Sequence, residues 1–111
     1  MKSIKESDWK IYKELREIAL ERYCKRSLEK VRKIIDENIG DSEERFLTMT
    51  REAHHLHKHF GHLFDDFRRL TAIRQLSIYY ADELLTHDEI SRLSEDGRDQ
   101  VVSLSKIMLD D

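Results

Sequence analysis

The chain has 111 residues, 39% of them charged and 39% apolar, with three glycines, one cysteine and no proline. Its formal net charge of −3 disfavours a general nucleic-acid role, and a lone cysteine excludes an internal disulfide. Strand-rich folds need glycine and proline at their reversals, so this composition points to an all-α fold.

The length suits one helical domain over residues 1–111 with a single core. The charged fraction stands well above the roughly 25% of an ordinary globular domain. Slender helices with narrow apolar stripes and wide charged faces fit that mixture. The charge is uneven. Residues 1–33 hold eleven Lys/Arg against six Asp/Glu, while residues 82–111 hold three against nine. A basic first helix and an acidic C-terminal end attract each other, within one chain or between two. Exposed pairs contribute only about 0–1 kcal/mol each, so the asymmetry sets orientation and partner choice more than stability. The start MKSIKESDW has no apolar signal core. No segment approaches the roughly 18 apolar residues of a membrane span. A cytoplasmic location without membrane contact is the expectation.

Ser7 or Asp8 can cap the first helix by accepting from free first-turn amides. From there to Asn38 nothing breaks it. Trp9, Leu20, Tyr23, Cys24, Ser27, Val31 and Ile34 recur on one stripe at helical spacing. A second stripe, Ile4, Ile11, Leu15 and Ile18, lies nearly opposite. Two apolar faces need two partners, and Ile4, Ile11, Leu15 and Ile18 are the candidate self-association interface. The other reading is that the rest of the chain covers both faces.

Asn38, Gly40, Asp41 and Ser42 mark the first break. Gly40 suits the left-handed position that ends a helix. Ser42 with Glu43 and Glu44 opens the next one, acidic residues being favoured at its N-terminus. Phe46, Met49, Ala53, Leu56, Phe60, Leu63, Phe64, Phe67 and Leu70 form its apolar stripe. Gly61 inside it can mark a kink or a close contact. The periodicity leaves open whether residues 43–85 make one helix or two. Thr86 to Glu89 reads as a capping box opening a short helix. Ser94 caps a last helix carrying Val101, Leu104 and Met108. The predicted architecture is an antiparallel helical bundle with one long N-terminal helix, a long or kinked central pair and two short C-terminal helices.

The run FDDFRRLTAIRQLSIYYADELLTHDEISRLSEDGRDQVVSL, Phe64 to Leu104, resembles a group of short bacterial all-helical hypothetical proteins. The SDWK of Ser7 to Lys10 is similar too. The shared residues are capping and core residues, so the resemblance implies a small helical fold and supplies no activity.

Five of the six histidines fall in nine residues: His54, His55, His57, His59 and His62. On a continuous helix, His55, His59, His62 and Asp66 share one face, and an i,i+4 histidine pair can chelate a divalent metal. Leu56 follows His55, so the HExxH protease pattern is absent. The row lies away from the core stripe and is expected to face outward, without the supporting shell that functional metal sites have. Cys24 on the core stripe reads as a structural thiol. Asp65, Asp66, Arg68 and Arg69 read as charge pairs on a solvated face, and Trp9, Tyr79 and Tyr80 as core aromatics. No phosphate loop, GxSxG or CxxC occurs.

The leading expectation is a non-enzymatic helical interaction or assembly protein, a homo-oligomer or the partner of another, unidentified protein, with no cofactor. The alternative is a metal-binding or metal- or pH-sensing module on His55, His59, His62 and Asp66. A small bundle-pocket enzyme using Cys24, Asp65 or a histidine is the third class.

Overall fold

Thirty-one residues without glycine or proline, Glu6–Asp36, form α1. The computed structural model describes residues 4–37 and 39–110, and every regular element among them is helical. After α1 come α2 (Ser42–Phe64), a 3-10 turn (Arg69–Thr71), α3 (Ala72–Ala81), α4 (His87–Ile90) and α5 (Glu95–Asp110).

The residue before α1 is Lys5, which provides no side-chain cap. The expected cap from Ser7 or Asp8 is not made, because both lie inside the helix and Asp8 is engaged elsewhere. The break after α1 falls where the sequence placed it, although Asn38 lies outside the described residues. Gly40 takes the left-handed conformation at φ 75°. Asp41 caps α2 by accepting from the Glu44 amide at 2.8 Å.

Residues 43–85 make two helices. Gly61 does not break α2, which stops three residues later at Phe64. The stop is held from a distance. The last carbonyls of a helix have no intrahelical donor, and here side chains supply it. The Leu63 carbonyl accepts from the Tyr79 hydroxyl at 2.8 Å and from the Gln75 amide at 3.0 Å. The Phe64 carbonyl accepts from Arg16 at 2.7 Å. Phe67 and Leu70, expected on the core stripe, lie past this end and are exposed.

α3 ends in a Schellman motif. The Leu84 amide donates to Tyr79 and the Glu83 amide to Tyr80. That geometry requires a left-handed residue, and Glu83 supplies it at φ 61°. The Thr86–Glu89 capping box opens α4 as predicted. Ser94 accepts from the Gly97 amide at 3.1 Å, as an N-cap of α5 should.

The core lies at one end of a body 54 × 23 × 23 Å in extent. Tyr12 and Leu15 of α1, Leu63 of α2, Leu76 and Tyr79 of α3, Ile90 and Val101 are all fully enclosed. Each large apolar side chain contributes roughly 1.5–3 kcal/mol on burial. The rings of Tyr23, Phe60, Phe64 and Tyr79 form a chain of contacts with centroids 5.2–6.2 Å apart. It joins α1, α2 and α3.

Candidate functional site

Contacts between α1 and α2 run from Arg16 with Phe64, through Tyr23 with Leu56, to Ile35 with Arg45. The two helices therefore pass along each other as a hairpin. Only its base is enclosed. No described residue from Cys24 to Ala53 is buried. The second half of α1 and the first half of α2 form an arm two helices thick. Thirteen residues, 24–36, give it a length of about 20 Å.

The arm exposes apolar side chains among its charged ones. Leu28 is 71% exposed, Phe46 61% and Ile35 52%. Cys24, Leu28, Val31 and Ile35 recur at spacings of four, three and four. Phe46, Met49, Ala53, Leu56 and Phe60 recur at three, four, three and four. This is the spacing of helices that interlock knobs into holes with other helices. Between the rows lies an apolar groove of about 360 Å³, lined by Cys24, Leu28 and Val31 from α1 and by Ala53, Leu56 and Phe60 from α2. Cys24 is half-buried in this wall rather than sealed in the core.

The stripe proposed as an interface is placed differently. Leu15 is fully enclosed, and Ile4, Ile11 and Ile18 pack half-buried against the core cluster. Both faces of α1's first half are covered by this chain. The exposed apolar surface of the helix lies two turns and more beyond Ile18, at Leu28 and Ile35.

His54, His55, His57, His59 and His62 are all exposed on α2. His57 stands at the rim of the arm groove, and the His59 ring lies 5.8 Å from that of Tyr23. Asp66 does not extend their row, because α2 ends at Phe64 and Asp66 lies in the following segment. Arg68 donates to it at 2.7 Å and Thr71 at 3.0 Å. The Arg68 guanidinium holds its carboxyl below the usual carboxylate range. Among the described residues, no three His, Cys, Asp or Glu side chains are grouped to hold a metal ion.

Ion pairs within the chain tie α1 to the later elements, two of them in the sense of the charge asymmetry (Arg22–Glu89 and Arg26–Asp82) and two in the opposite sense (Arg69–Glu6 and Arg92–Glu14). Arg22 of α1 donates to both carboxylate oxygens of Glu89, at 2.6 and 2.8 Å. Arg26 donates to Asp82 at 2.7 Å. Arg69 pairs with Glu6, and Arg92 with Glu14. Arg22, together with the Thr86 backbone amide, pushes the Glu89 carboxyl down to about 2. Sequence reasoning missed one buried carboxylate. Asp8 of α1, 3% exposed, accepts from the Ser94 amide at 2.7 Å and the Ser94 hydroxyl at 2.6 Å. Asp8, the third residue of α1, reads as a cap, and no local pattern pairs it with a serine 86 residues away.

The chain matches no family model, and no curated protein or solved structure is significantly similar to it. No described helix is long and apolar enough to cross a membrane.

Proposed function

We propose that this chain is a non-enzymatic helical interaction protein of the cytoplasm that self-associates through the α1–α2 arm. The observation that carries the reading is the exposed apolar seam of that arm, with Leu28 71%, Phe46 61% and Ile35 52% accessible. An exposed contiguous apolar surface on a charged body marks an interaction site. Two helices with a shared seam bury little by themselves. A second copy of the same seam completes a four-helix antiparallel bundle, the geometry that heptad spacing favours.

Charge supports the same occupant. The arm part of α1 is basic, with Lys25, Arg26, Lys30, Arg32 and Lys33 against Glu29 and Asp36, while that of α2 is slightly acidic, with Glu43, Glu44 and Glu52 against Arg45 and Arg51. An isologous pair can set one copy's α1 beside its partner's α2, opposite charges flanking the apolar strip. Sedimentation equilibrium from about 1 to 100 μM tests the reading. A monomer–dimer equilibrium with the dimer dominant at the upper end supports it. A monomer throughout overturns it.

A further inference from the structure

A second concavity lies at the opposite end of α1 from the arm, where the start of α1 meets the 3-10 turn, α3 and α5. It encloses about 400 Å³, within the range of small-molecule sites. Its walls divide by chemistry. Ile4, Leu70, Ile73 and Leu104 line one part, and the basic side chains of Lys5 and Arg74 line another.

Arg74 is unlike the other arginines. Each of the ten others donates to or pairs with a carbonyl, a hydroxyl or a carboxylate. Among the described residues Arg74 alone makes no such contact. Asp66 is close enough to feel its charge but is taken by Arg68 and Thr71. Asp8, in the same wall, is taken by Ser94. Asp96, which also lines the cleft, accepts from the Gln100 side-chain amide at 3.0 Å, so both carboxylates of the wall already have donors and neither pairs with Arg74. An unpaired guanidinium beside an apolar wall, with Leu70 58% exposed, suits a ligand with two matching parts. The guanidinium fork takes a planar carboxylate in a bidentate pair, and the apolar wall takes a short hydrocarbon tail.

We propose that this cleft binds a small amphipathic carboxylate, its acid group on Arg74 and its tail along Leu70, Ile73 and Leu104. The site is independent of the arm and of self-association.

Octanoate is the probe, with octan-1-ol as the matched neutral control. Trp9, the one tryptophan, lies under the guanidinium of Arg69, 5.2 Å from it, and Arg69 lines the cleft. Its fluorescence reports filling, and the Gly97 amide resonance locates it, since Gly97 also lines the cleft. The expected result is saturable one-site binding with a Kd of roughly 0.1–1 mM, shifting Gly97 and Trp9. Arg74→Gln weakens it about tenfold, and octan-1-ol binds wild type no more tightly than octanoate binds that variant. Four outcomes overturn the proposal. They are no saturation up to about 5 mM, an unchanged Kd in Arg74→Gln, equal affinity for the alcohol, or shifts confined to Ala53 and His57 in the arm groove.

Discussion

Asp8, in the first turn of the first helix, accepts both the amide and the hydroxyl hydrogen of Ser94, at 2.7 and 2.6 Å. The N-cap of α5 is thereby fastened to the start of α1. Gly97 is part of the same joint. A β-carbon there would stand 2.6 Å from an Asp8 carboxylate oxygen and 3.2 Å from the Ser94 hydroxyl. Glycine in a helix normally costs about 0.5–1 kcal/mol relative to alanine, so Gly97→Ala should stabilise if space allowed. It should instead destabilise by about 1–2 kcal/mol, because bonds to a buried charged group are worth about 1.5–3 kcal/mol together with the groups left unpaired. In an Asp8→Ala background the sign should reverse, and Gly97→Ala should gain about 0.5–1 kcal/mol. Urea unfolding of the four proteins in this cycle checks it.

The C-terminus of α2 makes a different prediction. Tyr79 and Gln75 both donate to the Leu63 carbonyl, so either alone keeps it satisfied. Tyr79→Phe and Gln75→Leu should each cost about 1 kcal/mol. The double variant should cost about 1–2 kcal/mol more than their sum, because a buried carbonyl is then orphaned. Thermal or urea unfolding reads the coupling. Strict additivity would mean that these side chains do not cap the helix.

That cap also explains what the sequence left obscure. The all-α class, the break at Gly40 and Asp41, the Thr86–Glu89 box and the Ser94 cap are local signals, and each stands where the spacing put it. The end of α2 is not local. Its apolar stripe continues through Phe67 and Leu70, and nothing in residues 60–66 stops it. Arg16, Gln75 and Tyr79 decide the boundary from other elements. The error at Asp66 follows from the same gap, since a row counted on a continuous helix is broken once the helix ends at Phe64. Exposure at the arm was equally hidden. Phe46 has the spacing of a core residue, and it is 61% exposed because no other described element packs over the arm. The stripe from Ile4 to Ile18 was legible as apolar, but what covers it depends on the tertiary arrangement.

Acid should weaken the α1–α4 joint in a defined window. Glu89 is held at about 2, well below the ordinary glutamate value of 4.5. A carboxyl depressed in the folded state contributes stability above its unfolded value and loses it as the pH falls through the folded one. The loss should therefore run from about pH 5 down to about pH 2. It should amount to on the order of 1 kcal/mol, since Arg22 is 45% exposed and solvent screens the pair. Glu89→Gln keeps the hydrogen-bond acceptor of the capping box while removing the charge. Its stability should lie lower at pH 7 and vary less between pH 5 and pH 2. Parallel slopes for the two proteins would contradict the assignment to Glu89.

Glu83 occupies the left-handed position of the α3 Schellman motif at φ 61°, where a side chain costs roughly 1–2 kcal/mol. Glycine removes that strain but loosens the unfolded chain by about 0.5–1 kcal/mol. Glu83→Gly should therefore be neutral to stabilising by up to about 1 kcal/mol, and Glu83→Val should be destabilising. A rise of a few degrees in Tm for the glycine variant checks the sign.

The most direct test of the arm as a self-association surface is the light-scattering mass, after size exclusion at about 100 μM, of wild type, Ile35→Lys, Phe46→Lys and Ile107→Lys. Ile107 is 61% exposed but lies on α5, away from the arm. The account predicts a dimer for wild type and Ile107→Lys, and a folded monomer, with wild-type helix content, for Ile35→Lys and Phe46→Lys. A monomeric wild type, or arm variants that keep the dimer mass, would contradict it.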